Sequence, residues 1–292
     1  MAIVLWLVLL EGLYLRALRV LKRRGVTVPR FQIAMWHTAM ALWIIGLLSP
    51  VDWYGDDLLS AHMLQHLLIA DLAAPIMLVG LRNPVLMFFL PKSALVPLAR
   101  TRWLRGGFRF LRRPLVALPI YVLVLYGWHW SVLFDAAVKH PLVHALQHSS
   151  FIAIGVLVWW SVLEPKRRRL RGELWKIGHV LSARFLGMFL GMNFVLIRHP
   201  IYTDVYGSGQ RALGLSALSD QQLAGAMMVT LDIILMVFAL AFLFSRAGQQ
   251  YDADEARAAT SRSAAVTSRC ACPPCRPGGG PGRSRRTCTR PA

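Results

Sequence analysis

Two pairs of histidines set the chemical question in this sequence: His62 with His66, and His144 with His148, each pair four residues apart. On a helix that spacing puts both imidazoles on one face as neighbours, close enough for their ring nitrogens to share one metal ion. His129, near the end of another apolar stretch, is a further ring at hand. Ionisable side chains are costly inside apolar segments and point to function by default. The chemistry in question is therefore transition-metal binding by imidazole.

The elements that must carry these rings cross a membrane. Of the 292 residues 56% are hydrophobic and 16% charged, against about 25% charged in soluble domains. Apolar stretches of about 20 residues recur, each long enough for a hydrocarbon core about 30 Å thick. A water-soluble enzyme is excluded. Apolar length read against turns and charges gives an all-α, polytopic membrane helix bundle of about seven spans, near 1–21, 31–49, 58–80, 114–134, 141–163, 177–197 and 223–244. The first holds Glu11, Arg16 and Arg19, so it is either a short span whose basic end snorkels inward or the remnant of a longer one with a different start. The segment 83–113 is interrupted by Pro84, Pro91 and Pro97 and mixes arginine with aromatic residues, which suits a helix lying in the inner interface.

The formal net charge is +19. In a polytopic protein this excess reports orientation, because basic loops stay in the cytoplasm. Nucleic-acid binding is not expected, since no basic run is interleaved with aromatics on a soluble module. Lys22, Arg23, Arg24 and Arg30 separate the first two spans, and Arg82, Lys92, Arg100, Arg102, Arg105, Arg109, Arg112 and Arg113 the third and fourth. Lys166, Arg167, Arg168, Arg169, Arg171 and Lys176 separate the fifth and sixth, whereas the alternate loops hold only Lys139, Arg198 and Arg211. The N-terminus is accordingly expected outside and the C-terminus in the cytoplasm. No cleavable signal peptide is expected, because residues 1–10 lack a basic n-region. From Gly248 the composition shifts to Ala, Ser, Arg, Pro and Gly, which divides the chain into a bundle, 1–247, and a disordered cytoplasmic tail, 248–292. All four cysteines, Cys270, Cys272, Cys275 and Cys288, fall in that tail, so no disulfide framework holds the bundle. Cys270, Cys272 and Cys275 lack a second ligand pair at zinc-site spacing.

At about 1.5 Å per residue, His62 and His66 lie roughly 6 and 12 Å into the third span, His129 roughly 8 Å from the outer end of the fourth, and His148 roughly 10 Å into the fifth. These four share one outer layer. His140 continues the row but stands about 12 Å from His148 along the axis, so it is placed at the mouth of the site. His37 and His179 toward the inner side, and His199 before Pro200, read as structural. Met63, Met192, Met227 and Met228 lie in the outer half, where a thioether suits Cu(I) although most methionines there pack. Deeper in the bundle, Arg184 and Asp71 reach similar depths and are expected to pair. Ala183, Gly187 and Gly191 repeat every four residues, a face that admits a close helix neighbour.

The stretch Ser60-Ala61-His62-Met63-Leu64-Gln65-His66-Leu67-Leu68 resembles the CtaG-type cytochrome c oxidase assembly factors, multi-span proteins found with bacterial haem-copper oxidases. Leu48-Ser49-Pro50-Val51-Asp52, Trp128-His129, Pro141-Leu142-Val143-His144-Ala145-Leu146-Gln147-His148 with Phe151 and Trp159-Trp160, and Ser219-Asp220-Gln221-Gln222-Leu223-Ala224-Gly225 follow the family's order over roughly residues 10–245. The resemblance implies an assembly factor rather than an enzyme, in the bacterial cytoplasmic (inner) membrane. Copper is then the ion handled and the catalytic subunit of the oxidase the partner. It implies a metal set of His62, His66, His129, His144 and His148, with Asp220, Gln221 and Gln222 as a polar cluster at the outer mouth; Met228 joins that outer set by its place in the outer half. The family typically continues after Gly225 with Met-Trp and Pro-Gly, whereas Met227-Met228-Val229-Thr230-Leu231-Asp232 follows here.

Two functions remain open at this point. A copper-holding protein needs exchangeable ligands, and imidazoles at an open mouth supply them where thiolates would hold Cu(I) more tightly. A membrane metalloenzyme with a di-metal or haem centre would use the same histidines, although di-iron sites of that kind draw on carboxylates and the outer layer has no Glu. A transporter would show inverted repeats or broken spans around a midplane site, and neither is visible. A homo-oligomer is compatible with the sequence.

Overall fold

The computed structural model describes residues 2–163, 174–207 and 209–270. Contacts divide the chain into two units, Met1–Ser245 and Arg246–Ala292, and regular structure among the described residues is helical.

The first unit opens with α1 (Ala2–Arg23), α2 (Arg30–Leu48) and α3 (Pro50–Asp57). It continues with α4 (Leu59–His66), a wide π-helical turn (Leu67–Leu72) and α5 (Ala73–Gly80). Three short helices follow, α6 (Val85–Phe89), α7 (Lys92–Arg100) and α8 (Arg102–Leu111), then α9 (Pro114–His129), α10 (Ser131–Lys139) and α11 (Pro141–Leu163). The remainder is α12 (Leu174–Leu196), the single turn α13 (Thr203–Tyr206) and α14 (Ala217–Cys270). Pro114 and Pro141 stand at the first position of their helices, where a missing N–H costs nothing.

Among the described residues five helices are long and apolar enough to cross a bilayer: α2, the Leu59–Gly80 run, α11, Trp175–Leu196 within α12, and α14. A sixth arises if α9 and α10 count as one broken span. The protein is thus a membrane helix bundle, with a smaller count than the seven expected. The difference lies in α1, which is helical for 22 residues but carries Glu11, Arg16, Arg19, Lys22 and Arg23 and so fails as an apolar stretch. Glu11 accepts a hydrogen bond from Trp36 Nε1 at 2.8 Å, and Tyr14 stacks on Trp36 at 4.3 Å, which docks α1 on α2. The expected span 114–134 contains a bend. Trp130 takes an extended backbone conformation, ending the helical ladder, and α10 leaves at 69° to α9.

The π-helical turn interrupts the Leu59–Gly80 span just beyond His66. Its extra width is taken up by two glycines on neighbouring helices. A Cβ on Gly155 of α11 would lie 2.6 Å from the Ala70 carbonyl oxygen, and one on Gly46 of α2 would lie 2.7 Å from Ile69. Trp43 Nε1 donates to the Ile69 carbonyl at 2.9 Å, satisfying a group that the wide turn presents. Turns of this kind inside α-helices occur frequently at functional sites.

The prolines of 83–113 do what they forecast. The segment forms no span, and α6, α7 and α8 are separated at Pro91 and Thr101. Arg16 donates to the Phe88 carbonyl at 3.1 Å and Arg24 lies 4.7 Å above the Phe88 ring, holding α6 against α1. The basic loop expected between the fifth and sixth spans lies outside the described residues, Lys176 excepted.

In the second unit the chain stays helical from Arg246 to Cys270, where composition suggested disorder from 248 onward. The correction has a local cause. Alanine has the highest helix propensity, Ala253, Ala256, Ala258 and Ala259 fall here, and Arg257 pairs with Asp254 at 3.0 Å three residues away. Cys272, Cys275 and Cys288 lie outside the described residues.

Candidate metal centre

The two histidine pairs meet. α4 presents His62 and His66, whose ring centroids are 4.5 Å apart, and α11 presents His144 and His148, 4.1 Å apart. Across the helix boundary His62 stacks on His144 at 5.1 Å and His66 meets His148 edge-on at 5.1 Å. Four imidazoles thus form one contiguous patch, buried except at His144. Phe134 caps it against His62 and Phe151 floors it against His66.

These rings are short of partners. Nε2 of His62, His66, His144 and His148, and also Nδ1 of His66, are buried with no hydrogen bond. A buried polar atom left unsatisfied costs about 1–3 kcal/mol, so a cluster of five such nitrogens is an arrangement that a cation would stabilise. Among the described residues no three His, Cys, Asp or Glu side chains already converge on one point as ligands. The rings pack face and edge against each other, and ligation would require them to turn about their side-chain torsions.

His129 stands apart from this patch. Its Nδ1 lies 2.7 Å from the Leu125 carbonyl, and its ring contacts Phe151 and Phe194 rather than another histidine. Its Nε2 is nonetheless buried without a partner. It shares with His66 the wall of a cavity of about 30 Å³, which Met63, Met228, Asp71 and Tyr121 also line. That is room for about one water. Met63 and Met228 therefore lie beside the histidines, whereas Met192 is exposed. His140 is exposed at the end of α10, His199 is exposed, and His37 faces Glu11 at 3.6 Å.

Beyond the cavity lies the charged network. Arg184 of α12 donates to Asp71 at 2.6 Å, as the matched depths predicted, and also to Asp232 at 2.7 Å and the Tyr121 hydroxyl at 3.3 Å. Asp232 and Tyr121 were not anticipated. Asp232 was detectable in principle, because a second carboxylate inside a span needs a basic partner and Arg184 is the nearest in depth. Gly187 makes the approach feasible: it faces the Asp232 carboxylate with no side chain between. One turn along, Gly191 and Gly225 bring the backbones of α12 and α14 together, a Cβ on Gly225 falling 2.5 Å from the Gly191 carbonyl oxygen.

The polar cluster expected at the outer mouth is built into the wall. Asp220, fully buried, accepts from the backbone N–H groups of Leu59 and Ser60 at 2.8 and 3.0 Å, capping α4, and pairs with Arg211. A carboxylate is well placed there, where the helix dipole is positive. Gln221 accepts from Ile201 N–H and donates to the carbonyls of Phe194 and His199, and Gln222 donates to Val195. The segment they hold carries Tyr202, which donates to the His129 carbonyl at 2.6 Å and stacks on Phe134 at 4.0 Å, and Tyr206, which donates to Gly55 at 2.9 Å. Burial pushes both phenols above their ordinary range, so they remain hydrogen-bond donors at physiological pH. Gln65 and Gln147, absent from the expected site, are buried with both Oε1 atoms unpartnered, and Gln65 turns toward α3, donating to Asp52 with its Oε1 near Gly55. Their position inside the two histidine motifs was the available signal.

A protein-family model described as cytochrome c oxidase caa3 assembly factor (Caa3_CtaG) matches residues 12–250. An uncharacterized protein of Mycobacterium bovis and another of Mycobacterium tuberculosis are each 26% identical over 262 residues, covering 85% of this chain and 39% of the relative. An uncharacterized protein of Mycobacterium leprae is 25% identical over 253 residues, covering 82% and 38%. The chain thus spans about two-fifths of the length of the curated relatives it matches. No solved structure gives a significant match.

Proposed function

The chain belongs to the cytochrome c oxidase caa3 assembly factor family, and from that premise we propose that it holds copper at the histidine patch and passes it to the catalytic subunit of a haem-copper oxidase in a bacterial cytoplasmic membrane. The observation behind this reading is the set of buried, unpartnered ring nitrogens on His62, His66, His144 and His148. Neutral imidazole is a ligand for copper, and the thioethers of Met63 and Met228 beside the same cavity favour Cu(I). His129 joins as a ligand reached through the cavity or as an intermediate station. The less buried His144 is the outermost ring, which makes it the exchange point for an incoming or leaving ion. A carrier of this kind binds and releases without catalysis.

The test is anaerobic titration of the purified protein with Cu(I) against a chromophoric competitor, together with elemental analysis and an optical spectrum. Copper without a Soret band is expected. Iron with a Soret band, or an oxo-bridged di-iron spectrum, would replace the carrier by an oxidoreductase.

In the same reading α1 and the α9–α10 pair also span, giving seven crossings with the N-terminus outside and the C-terminus in the cytoplasm. The histidine patch then opens to the outer face, where an oxidase subunit receives copper. Reporter fusions after Arg24 and Arg105 should report the cytoplasm, and fusions near Gly55 and Lys139 the outside. An inverted result at Gly55 would put the patch on the wrong face for this delivery.

A further inference from the structure

Three short helices surround the mouth of the histidine patch. Gly55 of α3 packs on the backbone of His62, where an added Cβ would lie 3.6 Å from the His62 Cα. Phe134 of α10 lies 5.0 Å from the His62 ring and 6.1 Å from that of Tyr206 on α13, whose hydroxyl donates to the Gly55 carbonyl at 2.9 Å. α3, α10 and α13 thus form a collar around the outer rings.

The collar is acidic in a chain of net charge +19. Asp52, Asp56 and Asp57 lie on α3, Asp135 and Lys139 on α10, and Asp204 on α13. Lys139 offsets Asp135 one turn away, and Arg211, over the Tyr206 ring, is held by the buried Asp220. Even with Arg198, exposed ahead of α13, the carboxylates of α3 and α13 leave the balance negative. Asp56 and Asp57 also sit in the last turn of α3, where the carbonyl end of a helix disfavours an anion. They are kept there at a local cost in stability.

Surface carboxylates are ordinarily just solvated. Beneath these, His62 is 1% exposed and its Nε2 has no hydrogen-bond partner, which independently marks the space under the collar as one that takes a cation. The charges of Asp52 and Asp56 act on His144, the least buried ring of the patch. Asp52 is half-buried and turned inward to Gln65, beyond the reach of a docked protein surface. A small ion can meet it.

We propose that the carboxylates of α3 and α13 draw a metal cation out of the outer solution to His144, so that the ion enters as a small cation and not from a docked basic protein. This rests on the reading of the patch as a copper site and adds the route of arrival. Ag(I), a redox-inert stand-in for Cu(I), is mixed as its nitrate with the full chain in detergent and chloride-free buffer. The bimolecular rate is followed by stopped-flow tryptophan fluorescence, and bound silver is counted by elemental analysis. Asp56→Asn with Asp57→Asn and Asp204→Asn changes three exposed residues and removes none of the rings. At an ionic strength of about 0.01 M, where charges act over about 30 Å, this variant should associate about tenfold more slowly than the native chain. At about 1 M, where they act over about 3 Å, the two should agree within about twofold. Asp252→Asn with Asp254→Asn and Glu255→Gln makes the same change in charge outside the collar and should keep the native rate. A native chain that holds no silver at saturation would overturn the copper reading and this route with it. A native chain that binds silver at a rate indifferent to salt, a collar variant as fast as the native chain at low salt, or equal slowing in the Asp252 variant would overturn the route alone.

Discussion

Replacing His66 or His148 with Ala should leave the protein at its normal level in the membrane while its copper content falls at least tenfold. His66 touches both His62 and His148, and both of its ring nitrogens are unpartnered, so it sits where a shared ion would draw on most rings. The truncation enlarges a cavity that already adjoins His66. It also removes two buried polar atoms that lack hydrogen bonds, and these effects oppose each other in stability. In cells grown at limiting copper the oxidase should then contain its haem but lack copper, with partial recovery when copper is supplied. His37→Gln is the control, because that ring is nearly half exposed and faces Glu11. Normal maturation in the His66 and His148 variants, or equal failure of the His37 variant, would separate the patch from the function.

Arg184→Met should abolish accumulation. The guanidinium is buried and holds two carboxylates from different helices, so its removal strands the buried Asp232 and leaves the partly buried Asp71 without its partner. Breaking a buried pair in this way costs on the order of 3–5 kcal/mol, a large fraction of the stability of most domains. The mechanism is separable from simple loss of packing. Arg184→Met combined with Asp71→Asn and Asp232→Asn removes every charge at once and should restore much of the membrane level, measured by immunoblot against the single variant. A single variant that accumulates normally would mean that the carboxylates find other partners. Asp71 also lines the cavity shared by His66 and His129, so partially accumulating variants should show weakened copper binding too.

How far the sequence reached depended on what helical spacing encodes. Four-residue separation is sufficient to put His62 beside His66 and His144 beside His148, and similar depths were enough to pair Asp71 with Arg184. Depth along an axis says nothing of azimuth. His129 falls at the right level yet turns toward Phe151 and Phe194, next to the bend at Trp130. The π-helical turn was illegible because Leu67-Leu68-Ile69-Ala70-Asp71-Leu72 has the composition of any apolar helix. What marks the turn is the pair of glycines, Gly46 and Gly155, on two other helices, and only the assembled bundle brings them to it. The continuation of α14 past Gly248 reflects a conflict between local signals, alanine propensity overriding a polar, small-residue composition. Asp220 was recognisable as polar and near the mouth, but its role as a cap for α4 is a contact 161 residues away in sequence.

That long-range cap has a consequence for the order of events during synthesis. The helix that bears His62 and His66 is made early, whereas the carboxylate that satisfies its first N–H groups arrives with the last apolar helix. Until that helix is in place α4 begins with bare amides, and the segment carrying Tyr202 and Tyr206 lacks the Gln221 hydrogen bonds to Ile201 and His199 that hold its start. A nascent or truncated chain therefore presents the imidazoles without the wall that positions them. On the copper reading proposed above, loading would then wait until α14 has docked, and shorter chains would be poor sinks for the ion.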